Sequence, residues 1–107
     1  MQIVTADSAA RFGEDKMRKI GLFETDRLFC DLYCLLPGQF QKIHAHQGSD
    51  KVYFVLRGRA RVRIGDEEQD LDPGQAALAP AGVPHGVTNT TGDPATLLVF
   101  MAPKPAH

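Results

Sequence analysis

Turn formers recur along this chain at intervals too short for helices. Pro37-Gly38, Gly48, Gly58, Gly65, Pro73-Gly74, Pro80, Gly82, Pro84, Gly92 and Pro94 leave only short segments between them, rich in Val, Ile, Leu, Phe and Tyr. Turn signals every ~8–12 residues mark an all-β sandwich or barrel. Leu28–Leu36 alternates so that Leu28, Cys30, Leu32, Cys34 and Leu36 form one wholly apolar face. Val52–Leu56 is continuously apolar, as expected of a strand covered on both faces. Ala60–Ile64 alternates small or apolar residues with Arg61 and Arg63, and Gly65-Asp66 supplies a hairpin turn into Glu67-Glu68-Gln69-Asp70. Gln75–Ala79 and Ala95–Met101 complete the strand set.

Helix is plausible only in Asp7–Lys19, where the apolar spacing is weak and Gly13 interrupts it, so this segment reads as a loosely held arm. Pro103-Lys104-Pro105 cannot continue a ladder and reads as a frayed tail, which argues against His107 as a ligand. The expected organisation is one domain: an arm and first strand over 1–27, a barrel over 28–102 and a tail over 103–107.

Composition narrows the function classes. At 107 residues and 43% hydrophobic, the chain can bury a core without disulfide or metal staples. Twelve basic against 13 acidic residues give a net charge of −1, which offers no electrostatic footprint for nucleic acid or an anionic membrane. The longest apolar run, Leu97–Ala102, falls far short of the ~20 residues that cross a bilayer. Met1–Phe12 has no apolar h-region, so a cytoplasmic protein is expected. Cys30 and Cys34, on one strand, would lie ~13 Å apart, too far for a disulfide. They read as apolar filler.

Two histidine segments could carry chemistry. In Gly38-Gln-Phe-Gln-Lys-Ile-His44-Ala-His46 the two imidazoles are two apart, so a strand aims both to one face. In Gly74-Gln-Ala-Ala-Leu-Ala-Pro80-Ala-Gly82-Val-Pro84-His85-Gly86-Val-Thr-Asn89, prolines and glycines place one histidine after a turn. Three histidines converging from separate strands make a facial set suited to Fe, Mn, Co, Ni, Cu or Zn.

These segments resemble the paired motifs of the cupin superfamily. The first family motif runs Gly, five residues, His-x-His, three or four residues, Glu, six residues, Gly; here Gly38, His44-Ala-His46, Lys51 and Gly58 fill it. The second runs Gly, five residues, Pro-x-Gly, two residues, His, three residues, Asn, and Gly74, Pro80-Ala-Gly82, His85 and Asn89 match every position. The resemblance spans Leu28–Met101 and implies a cupin-type double-stranded β-helix, a jelly-roll-like barrel of two antiparallel sheets. It also implies a homodimer, commonly by edge-strand exchange, with a small-molecule ligand and a divalent transition metal. The apolar surface of Leu28–Leu36 and Val52–Leu56, more than one thin barrel needs, points to a dimer independently.

One position departs from the family. The Glu that is normally the fourth metal ligand is Lys51, and an ammonium cannot ligate. Three readings stay open: a three-histidine site of His44, His46 and His85; the same site completed by Asp50 through a register shift; or no metal, with the histidines as hydrogen-bonding or acid–base groups. Lys51 and Tyr53 share parity and are the candidate catalytic side chains, Lys51 as a base or as an anchor for an anionic ligand. The fold family hosts oxygenases, isomerases and non-catalytic binding or sensing proteins, so function is read from the site. Arg57, Arg59, Arg61 and Arg63 share parity with each other, but the acidic run across the hairpin makes cross-strand ion pairs the expected reading. Gln39 and Gln41 read as strand-edge polar residues.

Overall fold

The computed structural model describes residues 1–105, so His107 lies outside the described residues. The chain folds into β1 (Arg18–Glu24), β2 (Phe29–Leu35), β3 (Phe40–His44), β4 (Asp50–Arg57), β5 (Ala60–Ile64), β6 (Glu67–Leu71), β7 (Ala76–Ala79), β8 (His85–Thr88) and β9 (Ala95–Ala102). They form two sheets in the orders β1-β2-β9-β4-β7 and β3-β8-β5-β6, with antiparallel pairing throughout. Because β2 lies beside β9 and β3 beside β8, the chain crosses repeatedly between sheets, giving the double-stranded β-helix. The β5–β6 turn is the expected Gly65-Asp66, with Ile64 opposite Glu67 and Gly65 at φ +60°, a conformation open to glycine.

Period two sorts the side chains. Tyr33 and Leu35 of β2, Tyr53 and Val55 of β4, Val62 of β5, Leu71 of β6, Val87 of β8, and Leu97 and Val99 of β9 pack between the sheets. Each fully buried aliphatic side chain contributes ~1.5–3 kcal/mol. On β2 the alternate residues Leu32 and Cys34 are buried as well, so both faces of this strand are covered. On β4 the expectation of two covered faces holds only inward. Val52, Phe54 and Leu56 are half-buried on the outer face, which continues into Leu78 and Phe100, 56% and 39% exposed.

Both segments flanking the barrel make specific contacts with it. Among the described residues helix is confined to α1 (Ala6–Ala9), a single turn without a side-chain cap, and β1 begins at Arg18 because Lys19 and Ile20 pair with Tyr33 and Leu32. Asp7 meets Arg57 at 3.7 Å, and the Gln39 side-chain amide donates to the Gly13 carbonyl. At the other end Lys104 Nζ reaches Glu24 at 2.6 Å, its backbone N–H donates to the Arg27 carbonyl, and Ser49 Oγ donates to the Pro103 carbonyl. One side-chain ion pair and two hydrogen bonds to backbone atoms make these contacts without any strand ladder. Arg61 pairs with Asp70 and Glu68 and Arg59 with Asp72 in exposed ion pairs, whereas Arg57 meets Asp7 of the arm and Arg63 donates to the Gly65 carbonyl. Both cysteines are free thiols. No helix among the described residues is long and apolar enough to cross a membrane.

Candidate metal centre

His44 closes β3 and His85 opens β8, and the two pair directly across the ladder. Ring centroids lie 4.8 Å apart for His44–His46, 4.5 Å for His44–His85 and 5.8 Å for His46–His85. One nitrogen from each of the three lies within 4.8 Å of the others. The turn that delivers His85 is bonded to the first motif, since the Gly82 N–H donates to the His46 carbonyl at 2.8 Å. Backbone also fixes two of the rings. His44 Nδ1–H donates to the Lys42 carbonyl at 2.7 Å and His85 Nδ1–H to the Val83 carbonyl at 2.9 Å, each two residues upstream. That tautomer leaves each Nε2 with its lone pair for a ligand. His85 Nε2 is buried and has no hydrogen-bond partner among the described residues, an orphaned acceptor that a metal ion would satisfy. The three imidazoles therefore fit the metal that the donor set implies.

Electrostatics keep these rings neutral, the form that ligates. Burial pushes His85 down from 6.5 to about 4, with the charge of Lys51 adding to the effect and the Val83 carbonyl opposing it. Burial also lowers His44 and His46, with Lys51 and Lys19 acting in the same direction.

Asp50 is not brought to the imidazoles. It lies exposed at the start of β4, and its Oδ1 accepts the Ala81 N–H at 2.9 Å, which ties β4 to the Pro80–Pro84 turn. Lys51, by contrast, is only 1% exposed and points inward. Its Nζ donates to Gln41 Oε1 at 3.0 Å and lies 5.1 Å and 5.0 Å from the ring centroids of Tyr33 and Tyr53. Burial, reinforced by Lys19 and partly offset by Asp31, lowers its pKa from 10.5 to about 7. Tyr53 stands 6.1 Å from the His85 ring and donates its hydroxyl to Gln41 Oε1 at 3.1 Å. Burial raises both Tyr33 and Tyr53, so both phenols stay protonated at neutral pH.

Gln41 is the hub that strand-edge reasoning missed. Its Oε1 accepts from Lys51 and Tyr53, and its Nε2 donates to Tyr33 OH at 2.9 Å. On a regular strand Gln41 and His44 would face opposite ways. The β3–β8 register shifts between them by one extra residue in β3, and this bulge turns both inward. Tyr33, Lys19 and Asp31 also join the site from β1 and β2, with Lys19 opposite Tyr33 in the ladder. Asn89, the last residue of the second motif, is structural. Fully buried, it donates to the Leu35 and Asp93 carbonyls and accepts from the Thr91 N–H and hydroxyl.

Known proteins resemble this chain in sequence and fold to different degrees. A crystal structure of TT1209 from Thermus thermophilus is 54% identical and superposes with a TM-score of 0.96 over 98% of this chain and 100% of that one. A double-stranded β-helix protein from Klebsiella pneumoniae superposes at 0.89 over 96% and 90% of the two chains, at 24% identity, which speaks for the fold alone. Uncharacterized protein SCO3923 of Streptomyces coelicolor is 39% identical over 75 residues, 68% of this chain and 69% of its own. The tetracenomycin polyketide synthase protein TcmJ of Streptomyces glaucescens is 30% identical over 69 residues, 64% of this chain and 46% of its own. The cupin domain family model matches residues 31–101, a span that holds both histidine motifs and runs from within β2 to within β9, and the chain belongs to the cupin family.

Proposed function

We propose that this barrel holds a divalent transition metal on His44, His46 and His85 and binds a small anionic metabolite beside it. The observation that carries the reading is His85 Nε2, buried and unpartnered while its Nδ1 is locked to backbone. When bound, a divalent ion would supply Lewis-acid polarisation of a ligand oxygen, with positions left open by the three-ligand set, which suits oxygenase or isomerase chemistry. Lys51 supplies the anchor. Its amine, hydrogen-bonded to Gln41 and to no carboxylate among the described residues, gains a charged partner when an anionic ligand enters. Tyr53 stays a neutral donor and holds Gln41 against Lys51, which makes it a positioning residue in this scheme.

Lys51 at the family's Glu position also favours a second reading, a metal-free barrel that binds or senses a small molecule. Elemental analysis separates the two. Protein expressed in metal-supplemented medium should carry about one transition metal ion per chain and His44→Ala/His85→Ala should carry none; metal-free wild type overturns the first reading.

The same proposal includes a homodimer. Leu78 and Phe100, with half-buried Val52, Phe54 and Leu56, leave an apolar outer sheet face that a second copy would cover. Sedimentation at low micromolar concentration should give twice the chain mass, and a clean monomer refutes it. A cytoplasmic location completes the reading, since the free thiols Cys30 and Cys34 suit a reducing compartment.

A further inference from the structure

We propose that Lys19 and Lys51 form a two-cation site against Tyr33 that selects ligands bearing two anionic groups, small dicarboxylates in particular. The proposal rests on the metal-plus-anion reading and goes beyond it by naming the second cation and the ligand class. Lys19 Nζ lies 5.5 Å and Lys51 Nζ 5.1 Å from the centroid of the same Tyr33 ring. They reach it from different strands, Lys19 from the edge strand β1 directly opposite Tyr33, and Lys51 from β4 on the far side of β9. Neither lysine is within 4 Å of a carboxylate among the described residues. Lys51 is buried and Lys19 exposed.

Charge balance gives the ligand class. Among the described residues, the carboxylate acting on Lys51 is that of half-buried Asp31, and both lysines act on it as well. With a divalent ion on the imidazoles, the two lysines and the ion together outweigh the nearby acids, Asp31 and the Lys104-paired Glu24 that acts on it. Like charges held together at low dielectric are unfavourable until counter-charge enters. A monocarboxylate neutralises one of these centres; a dicarboxylate can meet a lysine with each end, or a lysine with one end and the ion with the other. The chemistry named is two carboxylates on a short chain; the carbon skeleton between them is left to the assay.

The test is calorimetric titration of the protein as purified with malonate, succinate and acetate at constant ionic strength, alongside its metal content. At least one dicarboxylate should bind 10-fold or more tighter than acetate. Lys19→Gln should lose most of that preference, about 10-fold in dicarboxylate affinity and much less in acetate affinity. Lys51→Met should weaken all three ligands. Lys19 lies on an exposed edge position, so its variant keeps the test valid if Lys51→Met folds poorly. Equal affinity for all three acids, no detectable binding of either dicarboxylate, or a Lys19→Gln protein that keeps wild-type preference overturns the proposal. Metal-free protein with a Lys19-dependent preference would refute the metal reading and retain this one; metal-loaded protein without the preference would do the reverse.

Discussion

Lys51→Met should stabilise the metal-free protein near neutral pH. Methionine keeps most of the length and volume of the lysine while removing an ammonium that is 1% exposed. Burial, with Lys19 adding to it, lowers the Lys51 pKa from 10.5 to about 7. Well below pH 7 both the folded and the unfolded chain carry the proton, and well above 10.5 neither does. Between those limits the unfolded chain binds more protons, so stability rises with pH across the window. At ~1.4 kcal/mol per pH unit the full linkage is roughly 5 kcal/mol, and at pH 7, with the folded group half protonated, roughly 4 kcal/mol weighs against folding. Met also loses the hydrogen bond to Gln41 Oε1, worth ~1 kcal/mol, although the Tyr53 hydroxyl still serves that oxygen. The net expectation is a gain of roughly 3 kcal/mol at pH 7 that falls close to zero by pH 10. Urea denaturation of chelator-treated wild type and Lys51→Met at both pH values measures it. Other lysines and unfolded-state tyrosines titrate alike in the two proteins and cancel in the difference. A variant no more stable than wild type at pH 7, or a gain that persists at pH 10, refutes the reasoning.

Three further outcomes follow from the same geometry. His85, lowered from 6.5 to about 4, favours the unfolded state as pH falls through that interval, by roughly 3 kcal/mol in the metal-free protein. The stability difference between wild type and His85→Gln should shrink by that amount from pH 6.5 to 4, and a pH-independent difference counts against a neutral buried ring. Asn89→Ala removes four hydrogen bonds' common partner and should cost about 2–4 kcal/mol in denaturation while leaving metal per folded chain unchanged; loss of metal from folded variant would assign Asn89 to the centre instead. A Cβ at Gly86 would lie 2.7 Å from Ile43 Cδ1 and 2.9 Å from the Gln41 carbonyl, so Gly86→Ala should push β3 from β8, cost about 1–3 kcal/mol and lower metal occupancy. Unchanged thermal stability and metal content would show that β3 yields there without disturbing His44.

The features legible in the amino-acid order were local ones. Turn residues at short spacing dictated short strands, and the two-residue interval of His44 and His46 put both rings on one face because a strand repeats every second residue. The rigid Pro80–Pro84 segment placed His85 after a turn, and the matched motifs carried the fold. Everything that depends on register between distant strands was settled by the packing of the two sheets. Gln41 turns inward only because the bulge in β3 adds a residue against β8, a shift that parity counting along one strand cannot register. Lys19, Asp31 and Tyr33 reach the site through the β1–β2 and β2–β9 ladders, and no spacing in the sequence links them to Lys51. The proton affinity of Lys51 was likewise unreadable from its neighbours in sequence. It is set by desolvation under the barrel wall and by a lysine 32 positions away, both of which exist only once the two sheets have closed.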